Sequence, residues 1–160
     1  YYCIAPSSVW FTKQWPEDNW IQLCNKLKNC KIYVLGAKSD EMLCERISNL
    51  STNKSVVNLA GKLSMLQSAA LMQKAQMNFV NDSGPLHMAS AVNAPVTAIY
   101  CSTVKDFGFY PLSEKSFIAQ TLEDLNCRPC GLHGYKKCPE GHFKCGSNLK
   151  AEQVLLISGI

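Results

Sequence analysis

No run of apolar residues in this 160-residue sequence is long enough to cross a bilayer, which takes about 20 of them in a helix. The first residues, Tyr-Tyr-Cys-Ile-Ala-Pro, lack the basic start and the long apolar stretch of a secretory signal. An initiator Met is missing as well, and the chain opens directly on a strand-like run, so it reads as a segment of a longer protein. The formal charge of +4 is scattered, with no basic block and no basic patch interleaved with aromatics. That excludes the usual signature of nucleic-acid binding and leaves only a mild preference for anionic partners. G-x-G-x-x-G is absent, so there is no dinucleotide fingerprint. Internal repeats and low-complexity tracts are missing too.

What is present is ordinary for a globular chain: 47% hydrophobic and 18% charged residues, at a length that suits one compact domain. Apolar runs rich in β-formers alternate with helix-period segments. Strands are expected at Tyr1–Ala5, Lys31–Leu35, Ser55–Leu59, Gln76–Asn81 and Pro95–Cys101, with a sixth at Phe117–Gln120. A helix opens at Trp15-Pro16-Glu17-Asp18 and buries Trp20, Leu23, Cys24 and Leu27. A second runs from Asp40 to Leu50 with Leu43, Ile47 and Leu50 inward. A third starts at Ser64, where S-x-x-Q forms a capping box with Gln67, and turns Met65, Leu66, Ala69, Ala70 and Met72 inward. Leu86–Val92 and Ala151–Ile157 complete the helices. This alternation predicts an α/β fold, a Rossmann-like doubly wound parallel sheet. In such sheets ligands bind beyond the carboxyl ends of the strands, near the switch point.

The loop after the fourth strand, Asp82-Ser83-Gly84, leads into a helix whose first turn holds Pro85, Leu86 and His87. Free N–H groups and the helix dipole make that turn an anion site, and Gly84 lets a phosphate come close. A bound phosphate would favour the His87 cation, which the dipole alone disfavours. The competing reading is a plain cap, with Asp82 or Ser83 closing the helix end. In the loop after the first strand, Ser7 and Ser8 offer hydroxyls, and Lys13 sits just before a helix start, a poor place for a cation unless an anion binds nearby. After the second strand, Asp40 and Glu41 are placed to accept from ribose hydroxyls, or simply to sit in a helix first turn.

Four of the nine cysteines cluster late, in a Gly- and Pro-rich loop at 125–146. Cys127, Cys130, Cys138 and Cys145 follow C-x2-C-x7-C-x6-C, with His133 and His142 between them. Four thiolates so spaced could close a tetrahedral structural zinc site, pair as disulfides, or stay as reduced thiols. The missing secretory signal favours a reducing compartment. A loop of this kind needs a tether to be ordered.

Several segments, taken in order, resemble one family over nearly the whole chain. They are A-P-S-S-V-W-F-T-K-Q-W-P from Ala5, N-L-A-G-K-L-S-M-L-Q-S-A-A-L-M from Asn58, N-D-S-G-P-L-H-M-A-S-A from Asn81 and I-Y-C-S-T-V-K-D-F-G-F-Y-P-L-S from Ile99. Together they resemble the C-terminal domain of the heptosyltransferases, the ADP-heptose enzymes of lipopolysaccharide core synthesis. The four-Cys loop is similar to that of heptosyltransferase-II-like members. The resemblance implies the C-terminal half of a GT-B fold, with residues 1–160 as its nucleotide-sugar-binding domain. It implies that Ser7, Ser8 and Lys13 hold the diphosphate, that Asp82, Ser83, Gly84 and His87 line the same pocket, that Leu63 lies against adenine, and that Asp40 or Glu41 meets the ribose. The reaction implied is inverting transfer from ADP-heptose to the lipopolysaccharide inner core, with no required cofactor. The general base, an Asp, and the acceptor site would come from an N-terminal domain outside this chain. The implied setting is cytoplasmic, at the inner face of the inner membrane, with peripheral association of the parent enzyme. Two other readings compete: a UDP-sugar-using GT-B or epimerase-like domain, and a zinc-tethered interaction module.

Overall fold

The computed structural model describes residues 1–160. Six strands form one sheet: β1 (Tyr2–Ala5), β2 (Ile32–Val34), β3 (Val56–Asn58), β4 (Met77–Asn81), β5 (Val96–Tyr100) and β6 (Ser116–Gln120). Their order is β3-β2-β1-β4-β5-β6, and every neighbouring pair is parallel. The order reverses between β1 and β4, which pair from Tyr2↔Met77 to Ala5↔Val80. A switch point of this kind leaves a crevice, because the connections leave β1 and β4 toward opposite faces.

The helices are α1 (Glu17–Lys26), α2 (Glu41–Leu50), α3 (Met65–Gln73), α4 (Gly84–Ala91), α5 (Lys144–Ser147) and α6 (Ala151–Ile157). Strand alternation sorts the core into two layers. Tyr2, Ile4, Ile32, Val34, Met77 and Phe79 face α1, α2 and α6, where Trp20, Leu23, Ile47 and Val154 meet them. Cys3, Ala5, Leu35, Val80, Val96 and Ala98 face α3 and α4, where Met72, Leu86 and Ala89 meet them. A sheet covered on both faces is what a parallel arrangement requires, and it explains why its strands read as unbroken apolar runs.

Two details depart from the periodic expectation. Leu50 is 62% exposed, because the buried stripe of α2 passes through Cys44 and Ile47 and continues to Ser51. In α3 only Ala69 and Met72 are buried, while Met65, Leu66 and Ala70 are exposed. Met65 shares the stripe of Ala69 and Met72, but one turn earlier, where the helix has passed the sheet and faces a cavity. The capping box does form: Gln67 N–H donates to Ser64 Oγ (3.3 Å), and Ser64 N–H donates to Gln67 Oε1 (2.8 Å). No helix of the chain is long and apolar enough to cross a membrane.

Candidate functional site

The site grows from the carboxyl ends of β1 and β4. Asn81, the last residue of β4, is fully buried and ties the two loops together. Its Nδ2 donates to the carbonyl of Pro6 (2.8 Å), and its Oδ1 accepts from Trp15 N–H (3.1 Å). The loop after β1 is therefore fastened at both ends to β4. Within it, Ser7 Oγ–H donates to Asp40 Oδ2 (2.9 Å), and the same oxygen accepts from Ala37 N–H (2.8 Å). Asp40 is thus drawn to the end of β1, whereas Glu41 turns away into a surface pair with Lys38.

A cavity of about 360 Å³ opens at this switch point. Ser7, Asp40, Leu63 and Gly84 border it, with Met65 and Met88 as apolar walls. It combines a flat apolar flank with a few convergent polar groups, the usual make-up of a small-ligand site. At its rim α4 begins. No side chain caps that helix, and a Cβ added at Gly84 would meet nothing within 4 Å. The approach to the first turn is therefore open, and the capping alternative for Asp82 and Ser83 fails. Ser83 Oγ–H donates to the carbonyl of Asn81 (3.3 Å) instead.

Asp82 has a different task. Its Oδ2 pairs with Lys13 Nζ at 2.8 Å, with side-chain exposures of 5% and 15%, and accepts from Thr103 Oγ1–H at 2.7 Å. Lys13 uses one of its three donors on Asp82, so it can still hold an anion. The charge of Asp82 is also felt at Tyr100, whose hydroxyl is pushed well above its usual range, by burial first and by that carboxylate second. Ser8 contributes its carbonyl, which accepts from Gln14 Nε2 (2.6 Å). His87 is exposed on α4 and meets Phe109 edge-on, with ring centroids 6.2 Å apart. The structure thus brings Ser7, Asp40, Leu63 and Gly84 to one cavity and joins Lys13 to Asp82. Ser8, Lys13, Glu41, Asp82, Ser83 and His87 do not line that cavity.

Sequence reasoning passed over Asn81, Thr103, Met65 and Met88. Thr103 follows the end of β5, and its place beyond a carboxyl strand end was the one available signal. A larger and more open recess, about 690 Å³, lies beside β6 between Lys105 and Ile118, away from the switch point.

No three His, Cys, Asp or Glu residues come together in metal-binding geometry, and all nine cysteines are free. Cys130 Sγ–H is turned onto the carbonyl of Cys127 (3.2 Å). Arg128 is one tether of this loop. Its Nε donates to the carbonyl of Cys101 (2.7 Å), and its Nη2 donates to the carbonyl of Thr103 and to Gln120 Oε1 (both 2.8 Å). Burial raises the Cys145 thiol to about 11 and also raises Cys130, with neighbouring thiols adding to the effect.

An all-parallel sheet ordered 3-2-1-4-5-6, with an open helix N-terminus beside its switch point, defines a Rossmann-type domain. Residues 1–139 match the sequence model of glycosyltransferase family 9 (heptosyltransferase), and the chain belongs to that family. It is 31% identical over 116 residues to lipooligosaccharide heptosyltransferase 2 of Haemophilus influenzae, covering 69% of this chain and 33% of the relative. To lipopolysaccharide heptosyltransferase 2 of Escherichia coli it is 28% identical over 150 residues, covering 89% and 41%. The solved E. coli ADP-heptose lps heptosyltransferase II has the same fold, with TM-score 0.80 at 22% identity, over 99% of this chain and 45% of that one. The chain spans less than half the length of these relatives.

Proposed function

We propose that this chain is the donor-binding half of an inverting glycosyltransferase that moves heptose from ADP-heptose to the lipopolysaccharide inner core. The observation that carries the reading is the meeting of Ser7, Asp40, Leu63 and the uncapped start of α4 around one cavity, with the Lys13–Asp82 pair held by the same two strand-end loops. Adenine fits the apolar flank of Leu63, Met65 and Met88. Asp40, already held by Ser7, takes a ribose hydroxyl. Lys13 and the first turn of α4 take the diphosphate, together with Ser7, Ser8 and Ser83, and His87 flanks it from the same helix. As the glycosidic bond breaks, negative charge gathers on the departing ADP, and Lys13 with the α4 amides stabilises it. Asp82 and Thr103 keep the ammonium aimed. The base that deprotonates the acceptor hydroxyl, and the acceptor site itself, belong to a domain outside these residues, working at the cytoplasmic face of the inner membrane.

Calorimetry with ADP and UDP tests the nucleotide. ADP should bind more tightly by about tenfold, given the apolar area adenine adds. Tighter binding of UDP would remove adenine, and with it ADP-heptose, from the reading.

Structural zinc at Cys127, Cys130, Cys138 and Cys145 is a second proposal, and it requires the loop to close further than it does here. Its support is Arg128, which is half-buried among thiols and bonded only to neutral oxygens, so that metal-bound thiolates would supply the missing counter-charge. Elemental analysis of protein purified under reducing conditions should find about one zinc per chain. Its absence would leave the loop tethered by hydrogen bonds alone.

A further inference from the structure

Lys13 lies in a single 3-10 turn, Phe11–Lys13, a piece of structure too short to hold its own geometry. The Cys-rich loop fixes it from outside. Tyr135 N–H donates to Thr12 Oγ1 (2.7 Å), and Thr12 N–H donates back to the carbonyl of Tyr135 (3.1 Å). Ser102 adds two more bonds, from Oγ to Thr12 Oγ1 (3.0 Å) and from its N–H to the Thr12 carbonyl (3.1 Å). Thr12 is 1% exposed, so each of these bonds is shielded from water. Gly134 then closes on the lysine itself. A Cβ there would stand 2.8 Å from Thr12 Oγ1 and 3.1 Å from Lys13 Cγ. The backbone of Gly134 is therefore packed against the stem of Lys13, at a φ of +78° that only glycine adopts freely. The base of the same loop is pinned to the segment after β5 by Cys130 N–H on the Ser102 carbonyl (2.9 Å) and by Arg128 on the Thr103 carbonyl. Thr103 is the residue whose hydroxyl holds Asp82. Both members of the Lys13–Asp82 pair thus lean on this loop.

We propose that Gly134 and Tyr135 are positioning residues for the donor: they set the Lys13 side chain, through Thr12, at the place where it meets the diphosphate. The proposal rests on the reading that Lys13 binds that diphosphate. The Cys-rich loop is on this account a part of the donor site, even though none of its side chains need touch the nucleotide.

Two glycines of the same loop make the test. Gly134 and Gly141 both have positive φ, +78° and +71°, so Ala strains the backbone alike at both. At Gly141 the added methyl meets nothing within 4 Å. ADP affinity is measured by calorimetry on the full chain for Gly134→Ala, Gly141→Ala, Lys13→Ala and the Gly134→Ala/Lys13→Ala double variant. Gly134→Ala should weaken ADP by about fivefold to tenfold, with Gly141→Ala within about twofold of the parent. In the Lys13→Ala background the Gly134 substitution should add nothing, since its target is gone. Normal ADP binding by Gly134→Ala, an equal loss in Gly141→Ala, or additive losses in the double variant would each overturn the proposal. If Lys13→Ala binds ADP normally, the diphosphate role of Lys13 fails and the proposal falls with it. If Lys13→Ala is weakened and Gly134→Ala is not, only the positioning claim is lost. Should Gly134→Ala fail to fold, Thr12 serves: Thr12→Ser keeps the oxygen that Tyr135 binds and should keep ADP affinity, and Thr12→Val should lose it. Equal affinities in those two variants would overturn the proposal equally well.

Discussion

The loops at the ends of β1 and β4 and the Cys-rich loop meet at Lys13, yet they are held in place by different means. The strand-end loops hang from adjacent parallel strands whose register is fixed along four residue pairs. One buried side chain, Asn81, is enough to lock them together. The Cys-rich loop has no strand and only the four-residue α5. It turns at Gly131, Gly134 and Gly141, all at positive φ, and is fastened by Arg128 at one end and Thr12 near its middle. The first region inherits its order from the sheet. The second borrows its order from partners far away in the chain, and in exchange it presses Lys13 into place.

The largest expected effect that separates the two concerns alkaline pH. Burial raises the thiols of Cys3, Cys24 and Cys44, packed on the sheet, from about 9 to about 12. The folded chain keeps these protons where the unfolded chain has released them, so stability is full below pH 9 and falls as pH rises toward 12. Urea melts should lose about 4 kcal/mol between pH 7 and pH 10 from these three thiols together. Replacing them with Ala should flatten that fall, whereas Ser at Cys130 and Cys145 should leave most of it. The opposite result would place the titrating core in the loop.

Smaller effects come from the two locks. Asn81→Ala strands the Pro6 carbonyl and the Trp15 N–H in a dry interior and should cost about 3 kcal/mol of global stability in urea. Arg128→Met should cost about 2 kcal/mol: it frees the carbonyls of the buried Cys101 and Thr103, but removes a side chain that is itself only half-buried. Its mark should be local: hydrogen exchange should quicken at Cys130 and Tyr135 and stay slow in β1 and β4. Uniform quickening across the sheet would show that the two regions are one cooperative unit.

The same contrast explains what could be read from the sequence. The strands, the order of elements and the candidate residues Ser7, Asp40 and Gly84 follow from periodicity and from the rule that ligands sit at carboxyl strand ends, whereas Leu63 came only with the family resemblance. The spacing of Met65 from Ala69 and Met72 predicts a core position, but spacing carries no information on where the sheet stops. Asp82 read as a cap or as a ligand, and the structure gives it Lys13 as partner, 69 residues away in the chain. Arg128 and Gly134 carried no signal at all. Their partners, Cys101, Thr103 and Thr12, are joined to them by topology alone.

Binding of ADP at the switch point, against the start of α4 and Lys13, is tested directly by backbone amide shifts recorded during an ADP titration. The largest changes should fall at Ser7, Lys13, Ser83 and Gly84, with the recess between Lys105 and Ile118 unmoved. Changes centred on that recess, or a silent Ser83–Leu86 segment, would contradict it.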